Sequence, residues 1–107
     1  MDDTKDQNVI FTYTLKQAIS DGVLVEIFKS RWNELSGGKP IVATSHLSAE
    51  VSLAGLAEIW NRYAAWRKQV MPTLPEEEQL FAASMNGETV WVIEDGQAYT
   101  LLYPDDY

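Results

Sequence analysis

Residues 79–103, QLFAASMNGETVWVIEDGQAYTLLY, decide the fold. The dipeptides Asn86-Gly87 and Asp95-Gly96 cut the stretch into three runs, Gln79–Met85, Thr89–Glu94 and Gln97–Tyr103. Each run is rich in apolar residues, and the later two in aromatic or β-branched ones, which suit a pleated, packed surface. Asn-Gly and Asp-Gly suit the type I′ turn, whose two central residues both need positive φ. The stretch therefore reads as a three-stranded antiparallel meander. Two-residue turns would place Met85 opposite Glu88, Phe81 opposite Val92, Glu94 opposite Gln97 and Val92 opposite Tyr99.

Opposed residues share a face of a sheet. One face is expected to carry Phe81, Ala83, Val90, Val92, Tyr99, Leu101 and Tyr103. The other is expected to carry Leu80, Ala82, Trp91, Ile93, Ala98 and Leu102. Neither set is polar. A sheet with one wet face alternates apolar with polar residues, so this one is expected to be covered on both sides.

The best-patterned helix lies just upstream. Ser52 is a fitting N-cap for a helix over about residues 53–70. Leu53, Leu56, Ala57, Trp60, Tyr63, Ala64, Arg67, Val70 and Met71 recur at the i, i+3, i+4 spacing of one helical face. Ile59 and Trp66 widen that stripe, and the methylenes of Arg67 can lie along it while its head reaches water. Pro72 stops the helix, and Leu74-Pro75-Glu76-Glu77-Glu78 forms an acidic link. One helix covers one face of the meander. The second face must be met by the N-terminal elements, a second copy of the chain, or a ligand or partner.

Towards the N-terminus, residues 1–8 read as a flexible acidic tail and Val9–Tyr13 as a short extended run. Residues 9–107 then form a single α+β domain. Thr14 is a candidate N-cap for a short helix over residues 15–20, closed by Asp21-Gly22. Residues 23–28 read as a buried strand that joins the sheet. KSRWNELS, residues 29–36, reads as a helical turn or a loop anchored by Trp32, and Gly37-Gly38-Lys39-Pro40 is a break. Residues 41–44 read as a second strand or an extended lead-in, with a turn of helix over residues 46–51.

Composition narrows the class. The chain has 107 residues, 46% of them apolar, with four tryptophans, five tyrosines and no cysteine. A disordered chain lacks such residues, and a domain of this size buries about two thirds of its extended surface without staples. Disulfides and thiolate metal sites are excluded. No apolar run approaches the roughly 20 residues that span a bilayer, and the N-terminus does not resemble a signal peptide, so a cytoplasmic address is expected.

The charge of −8 is unevenly spread. Residues 1–52 carry seven acids against five bases, and residues 53–71 carry Glu58 against Arg62, Arg67 and Lys68. Residues 72–107 carry eight acids and no lysine or arginine. A one-signed surface repels nucleic acid and favours a basic partner, although acidic surfaces also serve solubility alone.

No active site is recognisable. His46, the sole histidine, has Ser45, Ser48 and Glu50 nearby. One histidine and one carboxylate fall short of a zinc site, and a catalytic triad is assembled in space rather than in sequence. His46 reads as a surface or capping residue. The adjacent acids Glu76-Glu77-Glu78, Glu94-Asp95 and Asp105-Asp106 lack the spacing of a calcium loop. No glycine-rich phosphate loop is present, so no cofactor and no catalytic or metal-binding residue is assigned. Trp60 and Trp91 fall on apolar faces and read as core. Tyr103 and Tyr107, flanking Pro104-Asp105-Asp106, read as contact residues. The candidate partner surface is therefore Glu76, Glu77, Glu78, Glu94, Asp95, Tyr103, Asp105, Asp106 and Tyr107.

The opening Tyr13-x4-Ala18-Ile19-x-Asp21-Gly22-Val23-Leu24-Val25, with Pro40-Ile41-Val42-Ala43-Thr44 following, resembles a small uncharacterised bacterial family. Its members are often encoded on plasmids, phages and other mobile elements. The resemblance implies no activity. It points towards an accessory protein acting on other macromolecules.

Together these readings predict an α+β fold, with an antiparallel sheet packed by one long helix and short N-terminal helices. The leading function is a non-enzymatic interaction module that docks a basic protein, in its sharpest form a DNA-mimicking inhibitor. A small enzyme or ligand-binding domain, with its pocket between sheet and helix, is the rival. A homodimer through the second sheet face is the third reading.

Overall fold

The computed structural model describes residues 14–107; the tail expected over residues 1–8 and the extended run Val9–Tyr13 lie outside the described residues. The chain forms α1 (Leu15–Ser20), β1 (Leu24–Glu26), α2 (Trp32–Ser36), β2 (Ile41–Thr44), α3 (Ser45–Glu50) and α4 (Leu53–Gln69). It continues with β3 (Phe81–Met85), β4 (Glu88–Glu94) and β5 (Tyr99–Leu102), and a 3₁₀ turn follows at Pro104–Asp106. The strands make one sheet in the order β1-β2-β5-β4-β3. The segment over residues 29–36 is a 3₁₀ turn running into α2, and Trp32 anchors it by donating its indole N–H to the Ile27 carbonyl at 2.8 Å.

The α+β class holds, but the sheet is mixed where an antiparallel one was expected. β5 pairs in parallel with β2, Ile41 opposite Tyr99 and Ala43 opposite Leu101, while all other pairs are antiparallel. The cause is the crossover through α3 and α4. It returns the chain at the far edge, so β3 starts in the direction of β2, and two hairpin reversals later β5 runs that way again beside it.

The β3–β4 hairpin has the expected register, Met85 opposite Glu88 and Phe81 opposite Val92. Asn86 (φ 56°) and Gly87 (φ 83°) supply the two positive φ angles. The second hairpin differs from expectation: Glu94 faces Tyr99 and Val92 faces Leu101. The Asp95 carboxylate accepts the N–H groups of Gln97 (2.7 Å) and Ala98 (3.0 Å), and Asp95 N–H donates back to the Ala98 carbonyl. This side-chain turn draws four residues into the loop instead of two. The slip is by two residues, so no side chain changes face.

Both faces are covered, unequally. On one, Phe81, Val90, Val92, Tyr99, Leu101 and Tyr103 meet Leu56, Ile59, Trp60 and Tyr63 of α4. The buried stripe of α4 is rotated from the expected one towards Ile59 and Trp66. Leu53 and Val70 stay exposed while Ile59 is fully enclosed. On the other face, α1 lays Ala18, Leu15 and Ile19 over Leu24, Val42 and Ala98. An N-terminal element thus covers the β1–β2–β5 half. Over the β4–β3 half, Trp91 and Ile93 are half-buried and Leu80 is exposed.

Candidate functional site

The parallel seam places the carboxyl ends of β2 and β5 side by side, the position at which open α/β sheets commonly hold ligands. β2 ends at Thr44. Its hydroxyl accepts the Leu47 N–H at 3.2 Å, which starts α3, and donates to Asp106 Oδ2 at 2.7 Å. β5 leads through Tyr103 into the Pro104–Asp106 turn, and the same Asp106 oxygen accepts the Tyr103 N–H at 3.4 Å. Asp106 therefore ties the end of one strand to the end of the other.

α3 presents His46 and Glu50 one turn apart beside this tie. His46 Nδ1 lies 3.0 Å from Asp106 Oδ1, and Nε2 lies 3.4 Å from Glu50 Oε2. The other Glu50 oxygen accepts the Tyr103 hydroxyl at 2.8 Å, and the Tyr103 ring packs against the imidazole with centroids 4.7 Å apart. A neutral imidazole has one donor and one acceptor, so two facing carboxylates suit the charged form. The hydrogen bond to Asp106 raises the His46 pKa above its ordinary 6.5, desolvation opposes this, and the charges of Asp106 and Glu50 add to the rise. Burial, then the bond to Glu50, pushes the Tyr103 phenol up to about 12. Both ring nitrogens of His46 face carboxylates, which leaves neither to activate Ser45 or Ser48.

An open cleft of about 460 Å³ adjoins this cluster, lined by His46, Glu50, Glu88, Tyr103 and Asp105 with the backbone around Gly87. Among the described residues, Glu88 and Asp105 make no ion pair and no lysine or arginine lines the cleft. Among the described residues no group of three or more histidine, cysteine or carboxylate side chains is arranged to hold a metal ion.

The nine expected contact residues do not form one surface. Asp105 and Tyr103 line the cleft, Tyr103 itself being buried, and Asp106 stands next to them bonded to Thr44 and His46. Tyr107 is half exposed and packs edge-on against Trp91, centroids 6.0 Å apart. Asp95 shapes the second hairpin. Glu94, at the opposite end of β4, holds Lys39 at 3.2 Å and Arg67 at 2.9 Å. Burial raises the Glu94 pKa, but the bonds from Arg67 and Lys39 outweigh it and leave the carboxyl below its ordinary value. Glu76, Glu77 and Glu78 form an exposed 3₁₀ turn ahead of β3, away from the cleft. Sequence reasoning missed Glu50 and Glu88 as cleft residues. Glu50 stands four residues beyond His46 and Glu88 directly after the Asn-Gly turn, but only the parallel seam brings them together.

A second hollow of about 280 Å³ lies between α4 and β5, bounded by Leu35, Trp60, Tyr63, Arg67, Lys68 and Tyr99. Its three aromatic walls are 4%, 3% and 8% exposed and pack on one another with centroids 5.1–5.9 Å apart. They belong to the core more than to a ligand cavity. No helix of the described residues is long and apolar enough to cross a membrane. No family model, curated protein or solved structure matches the chain.

Proposed function

We propose that the chain is a protein-interaction module whose acid-lined cleft receives a cationic side chain from a basic protein partner. The observation that carries this reading is the pair Glu88 and Asp105, carboxylates beside Glu50 in an open cleft, which among the described residues meet no ion-pair partner and no lining lysine or arginine. Concave surfaces lined by one sign of charge focus their field on an incoming counter-charge, which speeds encounter and selects partners. A DNA-mimicking inhibitor is the sharper form of the same reading, and its partner is the basic surface of a DNA-binding protein.

The test is calorimetric titration of a heptalysine peptide at low and high salt. Binding that weakens with salt, and that falls severalfold in the Glu88→Gln, Asp105→Asn double variant, supports the reading; each exposed charge pair supplies roughly 0.2–1 kcal/mol. Undiminished affinity in the double variant excludes the cleft as the docking site. Competition between duplex DNA and the chain for a basic DNA-binding protein separates the DNA-mimicking form from simple docking.

A further inference from the structure

Among the described residues, His46 is the only group lining the cleft that can carry positive charge. It faces two carboxylates, Glu50 at 3.4 Å, which lines the cleft, and Asp106 at 3.0 Å, which also accepts the Thr44 hydroxyl. Its side chain is half exposed (52%), so water and protons reach it directly. The groups facing it come from every neighbouring element: Glu50 on its own helix, Tyr103 and Asp106 after β5, Thr44 at the end of β2, and Glu88 and Asp105 across the cleft. Apart from the imidazole, all of these are neutral or acidic. Among these described groups, the imidazole is the one whose charge ordinarily changes near neutral pH.

We infer that His46 is an internal cation that competes with the partner's, so that docking in the cleft strengthens as the imidazole loses its proton. This rests on the docking reading above. With the ring charged, Asp106 and Glu50 are drawn onto it and the Pro104–Asp106 turn is clasped to α3. With the ring neutral, one nitrogen faces a carboxylate as an acceptor, the clasp loosens, and the Glu50 carboxylate turns its charge to the cleft while Asp106 keeps its bonds from Thr44 and Tyr103. The direction of the pH effect follows from the raised pKa. The clasp is fully formed below the ordinary value of 6.5 and is lost as pH rises through the higher folded value. By linkage, a docked cation must in turn favour the neutral ring.

The experiment uses the full chain and N-acetylated heptalysine, whose charge is constant across this range because its titrating α-amino group is blocked. The imidazole resonance and the backbone amides of Glu50 and Asp106 are followed by NMR from about pH 5.5 to about pH 8, and heptalysine affinity is measured at both ends. The expected result is a shared titration curve for ring and amides, and affinity about threefold higher at the upper pH, the size of one exposed charge pair. His46→Gln, neutral throughout, is expected to bind equally at both ends with the higher affinity. Glu50 and Asp106 amides that ignore the ring titration overturn the inference. Heptalysine binding that is equal at both ends in the unaltered chain overturns the inference while leaving the docking reading standing. Absence of heptalysine binding at any pH overturns both.

Discussion

The two ends of β4 carry acids that meet different fates. At one end Glu94 is held by Lys39 and Arg67, and both cations also lie over the Tyr99 ring, 4.9 and 5.9 Å from its centroid. At the other end Glu88 opens onto a cleft whose one source of positive charge among the described residues is a histidine. A tally of eight acids without a base treats these carboxylates alike. Pairing separates them, because bases from distant segments reach Glu94 and no described base reaches Glu88. The ends also respond oppositely to pH. The depressed Glu94 pKa means that its ion pairs stabilise above the ordinary carboxyl value of 4.5 and are lost as pH falls through the folded value. The His46 clasp is lost as pH rises.

Four substitutions test this contrast, ordered by expected effect. Tyr99→Ala strikes the Glu94 end, removing a buried ring packed against Trp60 and Tyr63. Urea unfolding is expected to show a loss of about 3–5 kcal/mol; a loss below about 1 kcal/mol would mean that this end is not anchored in the core. Asp106→Ala strikes the cleft end, leaving the Thr44 hydroxyl and the Tyr103 N–H without their acceptor. The expected cost is about 1–2 kcal/mol by the same measurement, with the amides after Tyr103 gaining hydrogen exchange. If exchange there is unchanged, Asp106 does not hold the turn.

Glu94→Gln is expected to cost about 1 kcal/mol at neutral pH, a figure already reduced for the solvent around Arg67. The difference from the unaltered chain should vanish as acid protonates Glu94. A difference that persists in acid would assign the effect to packing instead. Glu88→Gln is expected to change stability by less than about 0.5 kcal/mol, since no described cation depends on it. A cost above about 1 kcal/mol would show that Glu88 is structurally engaged and would erase the contrast between the ends.

Much of the architecture could be read locally. Asn86-Gly87 encodes its own hairpin, because positive φ at two successive residues leaves few alternatives. Thr14 and Ser52 cap their helices through hydroxyls accepting the N–H groups of Gln17 and Gly55. Asp95-Gly96 misled because aspartate has two ways of making a turn. Its side chain can bind the following N–H groups, and that route lengthened the loop. The parallel seam was out of reach for a different reason. Nothing local in Ile41–Thr44 specifies the neighbour it finds 58 residues later at Tyr99. The cleft depends on that seam, so its residues could be named as acids but not assembled. The rotation of the α4 stripe has the same origin, since its period fixes an amphipathic face only to within a residue or two.

The placement of β5 also bears on how the chain reaches its native state. β5 is the central strand of the sheet, yet both its neighbours precede it in sequence. The β3–β4 hairpin and the α4 helix can form early from local contacts, but joining β2 to β5 must close a long loop, which slows folding. Until β5 inserts, β2 and β4 each present an open edge, the kind of surface on which chains pair with one another. Refolding at high concentration is therefore expected to lose material to aggregation in proportion to the time β5 takes to dock. Substitutions that weaken β5 docking, such as Leu101→Ala, should lower refolding yield more than those in the local hairpin.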